Sequence, residues 1–450
     1  VSEPVAAGTG RAVELRRLHP LTPFVRGWKA LAVIVAILGQ QAADGRGGSP
    51  LPMLVALAAV VPLALVYGWV AWLFTRFGFD GEELLIESGA LFRRSRRVRL
   101  DRLQAVDVVR PLLGRVLGLA ELRLEVVGGK ASEGGLAYLS EDAAVRLRAE
   151  LLARAAGVRA AEGEDAPEAP EVVLHKVPPG RLLGSVLLSM PTIVSGVLAV
   201  ALLVGVAMTG EPSFAFAILP VLIPLGGGMA QRLISEFDFT IAGSPDGLRL
   251  RRGLLETRAQ TVPPGRVQAL RIVSPLLWRA RGWVRVEVSV AGYGKEAASE
   301  SSALLPVAPR AEAYDLVRLV LQAEVGPHPG PEAVPLAGVP RRARSIDPVA
   351  WRGLAVGADD KVFVSTRGVL RRELDVVPHA KAQSVRVTQG PVQRRLGLAS
   401  LHIDLPPGIR PYADHRDAVE ARELLAREVE LARAARRRAV PERWAERPEG

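Results

Sequence analysis

The 450-residue chain has no cysteine. That absence excludes disulfides, thiolate metal sites, zinc ribbons and a cysteine nucleophile, and it leaves the redox compartment open. Aromatic residues make up 5% of the chain and do not interleave with its basic clusters. Single-stranded nucleic acid is therefore not an expected partner, because such sites stack bases on aromatic side chains. The six histidines never stand four residues apart and form no His-Glu-x-x-His pattern, so no metal site is expected. Gly-x-Ser-x-Gly, Walker and kinase patterns are also missing. No set of acid, base and nucleophile can be assembled, and the expectation is a non-enzymatic protein without a cofactor. Lysine is scarce, with 6 of the 58 basic residues, yet the net charge is +11. With 49% hydrophobic and 23% charged residues, wholesale disorder is excluded.

Long apolar runs are present. Leu51 to Phe74 and Leu182 to Met208 contain 24 and 27 residues without a charge. At 1.5 Å per residue, either is long enough to span about 30 Å of hydrocarbon. Each has a weaker apolar neighbour across a short polar turn, Trp28 to Ala43 and Phe214 to Ala230, the latter with Pro220, Pro224 and Gly226 to Gly228. The pattern predicts two transmembrane helical hairpins, four helices in all. The short turns carry one basic residue, Arg46, whereas Arg11, Arg16, Arg17, Arg26, Arg76 and Arg93 to Arg99 flank the opposite side. Positive residues stay inside, so both termini and the long polar regions are expected in the cytoplasm of a multi-pass cell-membrane protein. Residues 1–27 lack an apolar core, and no cleavable signal is expected.

The polar regions repeat one unit three times. The first copy has Gly89, Arg102-Leu-Gln104, Pro111 to Arg115 and Gly118. The second has Gly253, Arg266-Val-Gln268, Pro275 to Arg279 and Gly282, and the third has Gly368, Lys381-Ala-Gln383, Pro391 to Arg394 and Gly397. In all three, Gln stands 15 positions after the first Gly, Arg 11 positions after Gln, and the second Gly 14 positions after Gln. These positions read as structural. Period-2 segments such as Leu122 to Val126, Val284 to Val288 and Leu401 to Leu405 predict half-buried strands, and a helix closes each copy. Ser140 caps the first of these helices, with Glu141 and Asp142 in its first turn. His19-x-x-x-Pro23 and His175-x-x-x-Pro179 lead into the hairpins; the third copy has none.

These leaders, paired apolar helices and ordered triplicate motifs resemble the bacterial pleckstrin-homology-like (PH domain-containing) membrane protein family of the YdbT type, over about residues 15–430. The resemblance implies a bent antiparallel barrel with a C-terminal helix for each copy. The expected layout is a cytoplasmic leader at 1–27, hairpin 28–75, PH-like domain 76–157, linker 158–181, hairpin 182–231, PH-like domain 232–325, a Pro-rich linker 326–346, a hairpin-free PH-like domain 347–432 expected to fold alone, and a basic tail 433–450.

The basic clusters offer a second candidate partner. Arg93, Arg94, Arg96, Arg97 and Arg99, then Arg251 and Arg252, then Arg371 and Arg372, stand near the first strand turn of successive copies. Phosphoinositide-binding pleckstrin-homology domains hold headgroups at a similar place, and each basic residue near an anionic surface contributes about 1 kcal/mol. The leading expectation is an integral membrane scaffold presenting three cytoplasmic modules to a protein partner. Anionic-lipid recognition and an export or permease accessory role are the alternatives. The third is disfavoured by the absence of ionisable residues at depth.

Overall fold

The computed structural model describes residues 16–23, 25, 58, 62, 66, 68–80, 83–89, 94–100, 103–126, 135–155, 171–210, 213–244, 247–263, 265–291, 303–406 and 408–438. The chain divides into two compact units, Val1–Glu168 with Trp444–Gly450, and Ala169–Arg443.

In the first unit, β1 (Arg16–Arg17), β2 (Arg76–Asp80), β3 (Glu83–Ser88) and β4 (Arg94–Arg99) form an antiparallel sheet in that order. Then come β5 (Leu103–Pro111), α1 (Leu112–Val116), β6 (Leu119–Val126), β7 (Gly135–Ser140) and α2 (Glu141–Ala155). Strands β5, β6 and β7 pair antiparallel. The apolar stripe of α2, Ala144, Leu147 and Leu151, is buried, as its i, i+3, i+7 spacing requires. The leader is tied in: the indole Nε1 of Trp72 donates to the Leu18 carbonyl at 2.9 Å, and Val25 packs with Leu119 and Tyr138.

The second unit repeats this plan twice. It begins with β8 (Val172–Lys176), α3 (Pro179–Leu187), α4 (Met190–Thr209), α5 (Ser213–Glu236), β9 (Thr240–Ser244), β10 (Gly247–Arg252) and β11 (Glu256–Val262). Its strands pair in chain order. Next are β12 (Val267–Pro275), α6 (Leu276–Arg279), β13 (Trp283–Val290), β14 (Ala303–Pro309) and α7 (Arg310–Val325). The third copy supplies β15 (Ala337–Gly338), β16 (Ala355–Ala358), β17 (Val362–Arg367), β18 (Arg371–Pro378), β19 (Ser384–Thr388), α8 (Pro391–Arg395), β20 (Leu398–Asp404), β21 (Tyr412–Asp417) and α9 (Ala418–Arg438). Among the described residues each copy thus contributes four antiparallel strands, then three, and a closing helix.

The membrane architecture read from the sequence is corrected. Among the described residues one helix is long and apolar enough to cross a membrane, α4, with 20 residues and mean hydropathy 2.3. Antiparallel sheets dominate, and a fold of two transmembrane hairpins is not what the chain shows; most of the expected first hairpin, 28–75, lies outside the described residues. The 27-residue apolar run is itself divided. Helix α3 ends at Leu187, Ser189 is extended, and Pro191 lies in the first turn of α4, because its ring clashes with the carbonyl four residues back. Helix α3 instead docks on the second copy: Leu182 and Val186 are buried, and Trp278 Nε1 donates to the Ser185 carbonyl at 3.0 Å. Helix α5 contains Pro220 and Pro224 and ends in Arg232 and Glu236, which meet the β-module described below.

The Pro-rich segment 326–346 is not a loose linker. It contributes β15, buries Val334 and Ala343, and anchors His328 Nε2 to Asp359 Oδ2 at 2.7 Å. Burial alone raises the Asp359 pKa, but hydrogen bonds from the Val362 and Lys361 backbone, and from His328, outweigh it and hold the carboxyl below its usual range. A depressed carboxylate pKa stabilises the fold above the unfolded value, about 3.9, and that stabilisation is lost as pH falls through the folded value. Acid unfolding of the full chain should therefore be shallower in Asp359→Asn than in the parent between about pH 4 and pH 2; superimposable curves would contradict this.

The repeat glycines have a common cause. Gly89, Gly253 and Gly368 have φ of 102, 112 and 78°, and Gly118, Gly282 and Gly397 have 65, 65 and 60°. A Cβ at Gly253 or Gly368 would lie 2.0 or 2.1 Å from the carbonyl oxygen of Glu256 or Arg371. Gly368→Ala is expected to cost about 2 kcal/mol, read as a lowered denaturant midpoint with unchanged slope. The glutamines differ among themselves. Register shifts fall between Leu103 and Ala105 and between Val267 and Ala269, which makes Gln104 and Gln268 β-bulge residues. Gln383 precedes β19 and is exposed; only its backbone N–H is held, by the Asp404 carbonyl at 3.0 Å.

Candidate functional site at the joint between two modules

The copies are not separate barrels. The second sheet of copy two continues into the first sheet of copy three in the strand order β14-β13-β12-β18-β17-β16-β15. The seam is the antiparallel pair β12·β18, in register from Leu270↔Val376 to Pro275↔Arg371. Both strands alternate apolar residues toward the core. Ala269 of copy two sits in the core of copy three with Val356, Phe363, Val377 and Leu401.

Leu270, Ile272, Leu374 and Val376 face one side of this sheet, and on the side that carries Ala269 and Val377 the next positions along both strands carry charge. Glu287, Arg271 and Asp375 are direct neighbours across β13, β12 and β18. One row along, Arg285, Val273, Glu373 and Arg367 are neighbours across β13, β12, β18 and β17. Arg271 grips Asp375 bidentately, with Nε to Oδ1 at 2.6 Å and Nη2 to Oδ2 at 3.0 Å. Arg367 lies 3.5 Å from Asp375 and donates through Nε to Glu373 at 2.7 Å. Arg371 bridges Glu373 at 3.0 Å and Glu287 at 3.7 Å. Arg285 joins Glu287 at 3.2 Å to Glu236 at 2.6 Å, and Arg232 closes on Glu236 at 3.1 Å. Ion pairs therefore run without a gap from the end of α5 through copy two into β18 of copy three.

The Asp375 side chain is 2% exposed and that of Arg271 15%. Burial lowers the Arg271 pKa, but its hydrogen bonds to Asp375 and the charges of Asp375 and Glu373 outweigh this and raise it. Burial lifts the Asp375 carboxyl above its usual range despite its guanidinium partners. Such a pair contributes little net stability compared with an apolar one, yet removing one partner is costly.

Repeat motifs complete the joint. The short helix α6, from the Pro275-Leu-Leu-Trp-Arg279 motif, receives the turn of the next copy: Leu276 N–H donates to the Leu370 carbonyl at 2.7 Å, and Arg279 donates to the Val369 and Leu370 carbonyls. Lys381 pairs with Glu324 of α7 at 3.1 Å and also donates to the Gly265 carbonyl.

The described basic residues singled out in the sequence lie on three separate strands. Arg94, Arg96, Arg97 and Arg99 lie on β4, Arg251 and Arg252 on β10, and Arg371 and Arg372 on β18; Arg93 lies outside the described residues. Arg97 meets Asp80 and Glu83 at 3.7 and 3.6 Å, Arg251 meets Glu171 at 3.0 Å, Arg252 is buried, and Arg371 belongs to the seam. Sequence reasoning passed over Arg271, Asp375, Glu373 and Arg285. The available signal was the charged outward position in otherwise apolar strands, as in Val284-Arg-Val-Glu-Val288. Among the described residues no group of His, Asp and Glu is placed to hold a metal ion.

Three stretches, residues 30–155, 182–324 and 337–437, match the family described as Bacterial PH domain. The chain is similar to UPF0699 transmembrane protein YdbT of Bacillus subtilis (strain 168), 23% identical over 275 residues, which cover 54% of this chain and 56% of that protein. The matched region spans a little over half the length of that relative. No solved structure matches the chain.

Proposed function

The chain belongs to the bacterial PH domain family, and from that premise we propose that it is a membrane-attached, non-enzymatic scaffold whose second and third modules act as one rigid platform for a protein partner. The observation that carries this reading is the shared seven-stranded sheet, which locks copy three onto copy two and ties both to α5 through the Arg232–Glu236–Arg285 ion pairs. Attachment rests on α4, which is apolar and has no buried residue, and on the transmembrane description of the Bacillus relative. The arginine asymmetry supports a cytoplasmic side for the modules.

Cysteine reporters in this cysteine-free chain test attachment and side together. Ser213→Cys is expected to react with an impermeant thiol reagent in intact cells, and Ser140→Cys only after lysis. Labelling of Ser140→Cys in intact cells would overturn the orientation. Photocrosslinkers on exposed module surfaces are expected to yield protein adducts. Contact with an anionic headgroup is the second reading, favoured by the exposed Arg94, Arg97 and Arg99 on one edge strand; adducts confined to lipid would favour it.

A further inference from the structure

The β12·β18 seam shows what this module's edges accept, and among the described residues the same kind of edge stands without a second strand neighbour in copy three. The repeat register makes β19 the copy-three counterpart of β12: Arg271 faces Glu287 on β13, and Arg386 faces His402 on β20. Among the described residues, β19 has β20 as its only strand neighbour. Its side chains follow the β12 pattern. Val385 and Val387 stand where Leu270 and Ile272 meet Val376 and Leu374, and Arg386 stands where Arg271 grips Asp375. The Arg386 side chain is 59% exposed, beside Asp404 at 3.3 Å.

We propose that β19 is a docking edge for an extended strand of a different protein, one that carries a carboxylate opposite Arg386 flanked by apolar residues. This names the partner contact of the scaffold reading and rests on it. An open, flat strand edge is a template for main-chain pairing, and the in-chain seam supplies the register and the charge rule. A second copy of this chain paired through β4 does not fit. The counterpart of β18 in copy one is β4, since Ile86↔Arg96 repeats Ser365↔Asp375, and among the described residues β4 is an edge of its own sheet. Joining β4 of one copy to β19 of another in the seam register would set Arg96 against Arg386, and Arg97 and Ser95 against Val385 and Val387. Like charges directly opposite in an antiparallel pair are destabilising, and the apolar cross-strand contacts of the seam are lost. Charge at these two edges thus disfavours pairing of β4 with β19 between chains and suits β19 to an acidic strand.

The test uses the full chain in detergent and labelled peptides of residues 368–378, the strand that fills the equivalent edge, read by fluorescence anisotropy. The parent peptide is expected to bind the parent chain, and its Asp375→Arg form to bind about tenfold more weakly or worse, one to two such interactions' worth of discrimination. Arg386→Asp in the chain should reverse that preference. Because Arg386 is exposed, this variant is expected to fold, and the gained binding of the Asp375→Arg peptide shows that it has. In mass photometry the parent chain should not assemble end to end through these edges, and Arg96→Asp should promote concentration-dependent assembly that Arg386→Asp abolishes. Absence of parent peptide binding, equal binding of both peptides, or preference unchanged by Arg386→Asp would overturn the proposal. None of these results alters the labelling and crosslinking outcomes that test the scaffold reading.

Discussion

Arg271→Ala is expected to lower the unfolding free energy of the full chain by about 3 kcal/mol, because breaking one side of a buried ion pair leaves the other charge uncompensated. The orphan is Asp375, 2% exposed, with Arg367 at 3.5 Å as its remaining close cation. The loss has a pH signature. Without Arg271, desolvation pushes the Asp375 carboxyl further above its unfolded value, so the folded state takes up a proton more readily than the unfolded one. Stability contributed by that proton is present at low pH and lost as pH rises through the folded pKa. The deficit against the parent should therefore be larger at pH 7 than near pH 4. An apolar double variant, Arg271→Met with Asp375→Leu, should recover most of the loss. Chemical unfolding followed by tryptophan fluorescence measures both. A deficit equal at both pH values, or no recovery in the double variant, would remove the seam pair from the account.

The second large effect concerns residues 345–440 expressed alone. The repeat pattern makes this fragment look self-sufficient, but the structure predicts that it is unfolded or aggregates, whereas residues 169–443 fold. Alone, β18 loses β12 and its six paired positions. At about 1 kcal/mol per backbone hydrogen bond, this is roughly 5 kcal/mol, comparable with the whole stability of a small domain. The fragment also loses Ala269 from its core, the Arg271 partner of Asp375, and strand β15. Circular dichroism and hydrogen exchange of the two fragments decide the matter. A cooperatively folded 345–440 fragment with β18 amides as protected as in 169–443 would show that the modules are merely adjacent.

The three copies were legible because their markers answer to local backbone demands. Gly89, Gly253 and Gly368 occupy a left-handed turn in every copy, and Gly118, Gly282 and Gly397 a second one. Local sterics impose glycine wherever the unit occurs, so the spacing survives without reference to the rest of the molecule. The closing helices were legible for the same kind of reason, an apolar stripe at helical spacing and acidic residues in the first turn. The apolar run before copy two was misread as a single span because hydropathy averages over Pro191. The break there also depends on tertiary contact, the docking of α3 on Trp278 and Trp283.

By itself, then, the sequence determined the unit, its threefold repetition, its strand and helix order, and an apolar helix beside it. Each of these follows from side-chain period or backbone dihedrals within a few residues. Only the tertiary structure decided that copies two and three share a sheet and where the candidate interface lies. Equivalent strands in a repeat carry the same alternation whether their edges are open or paired. The choice is made by groups such as Arg271 and Asp375, 104 residues apart, whose complementarity has no local signature and appears only when β12 and β18 stand side by side.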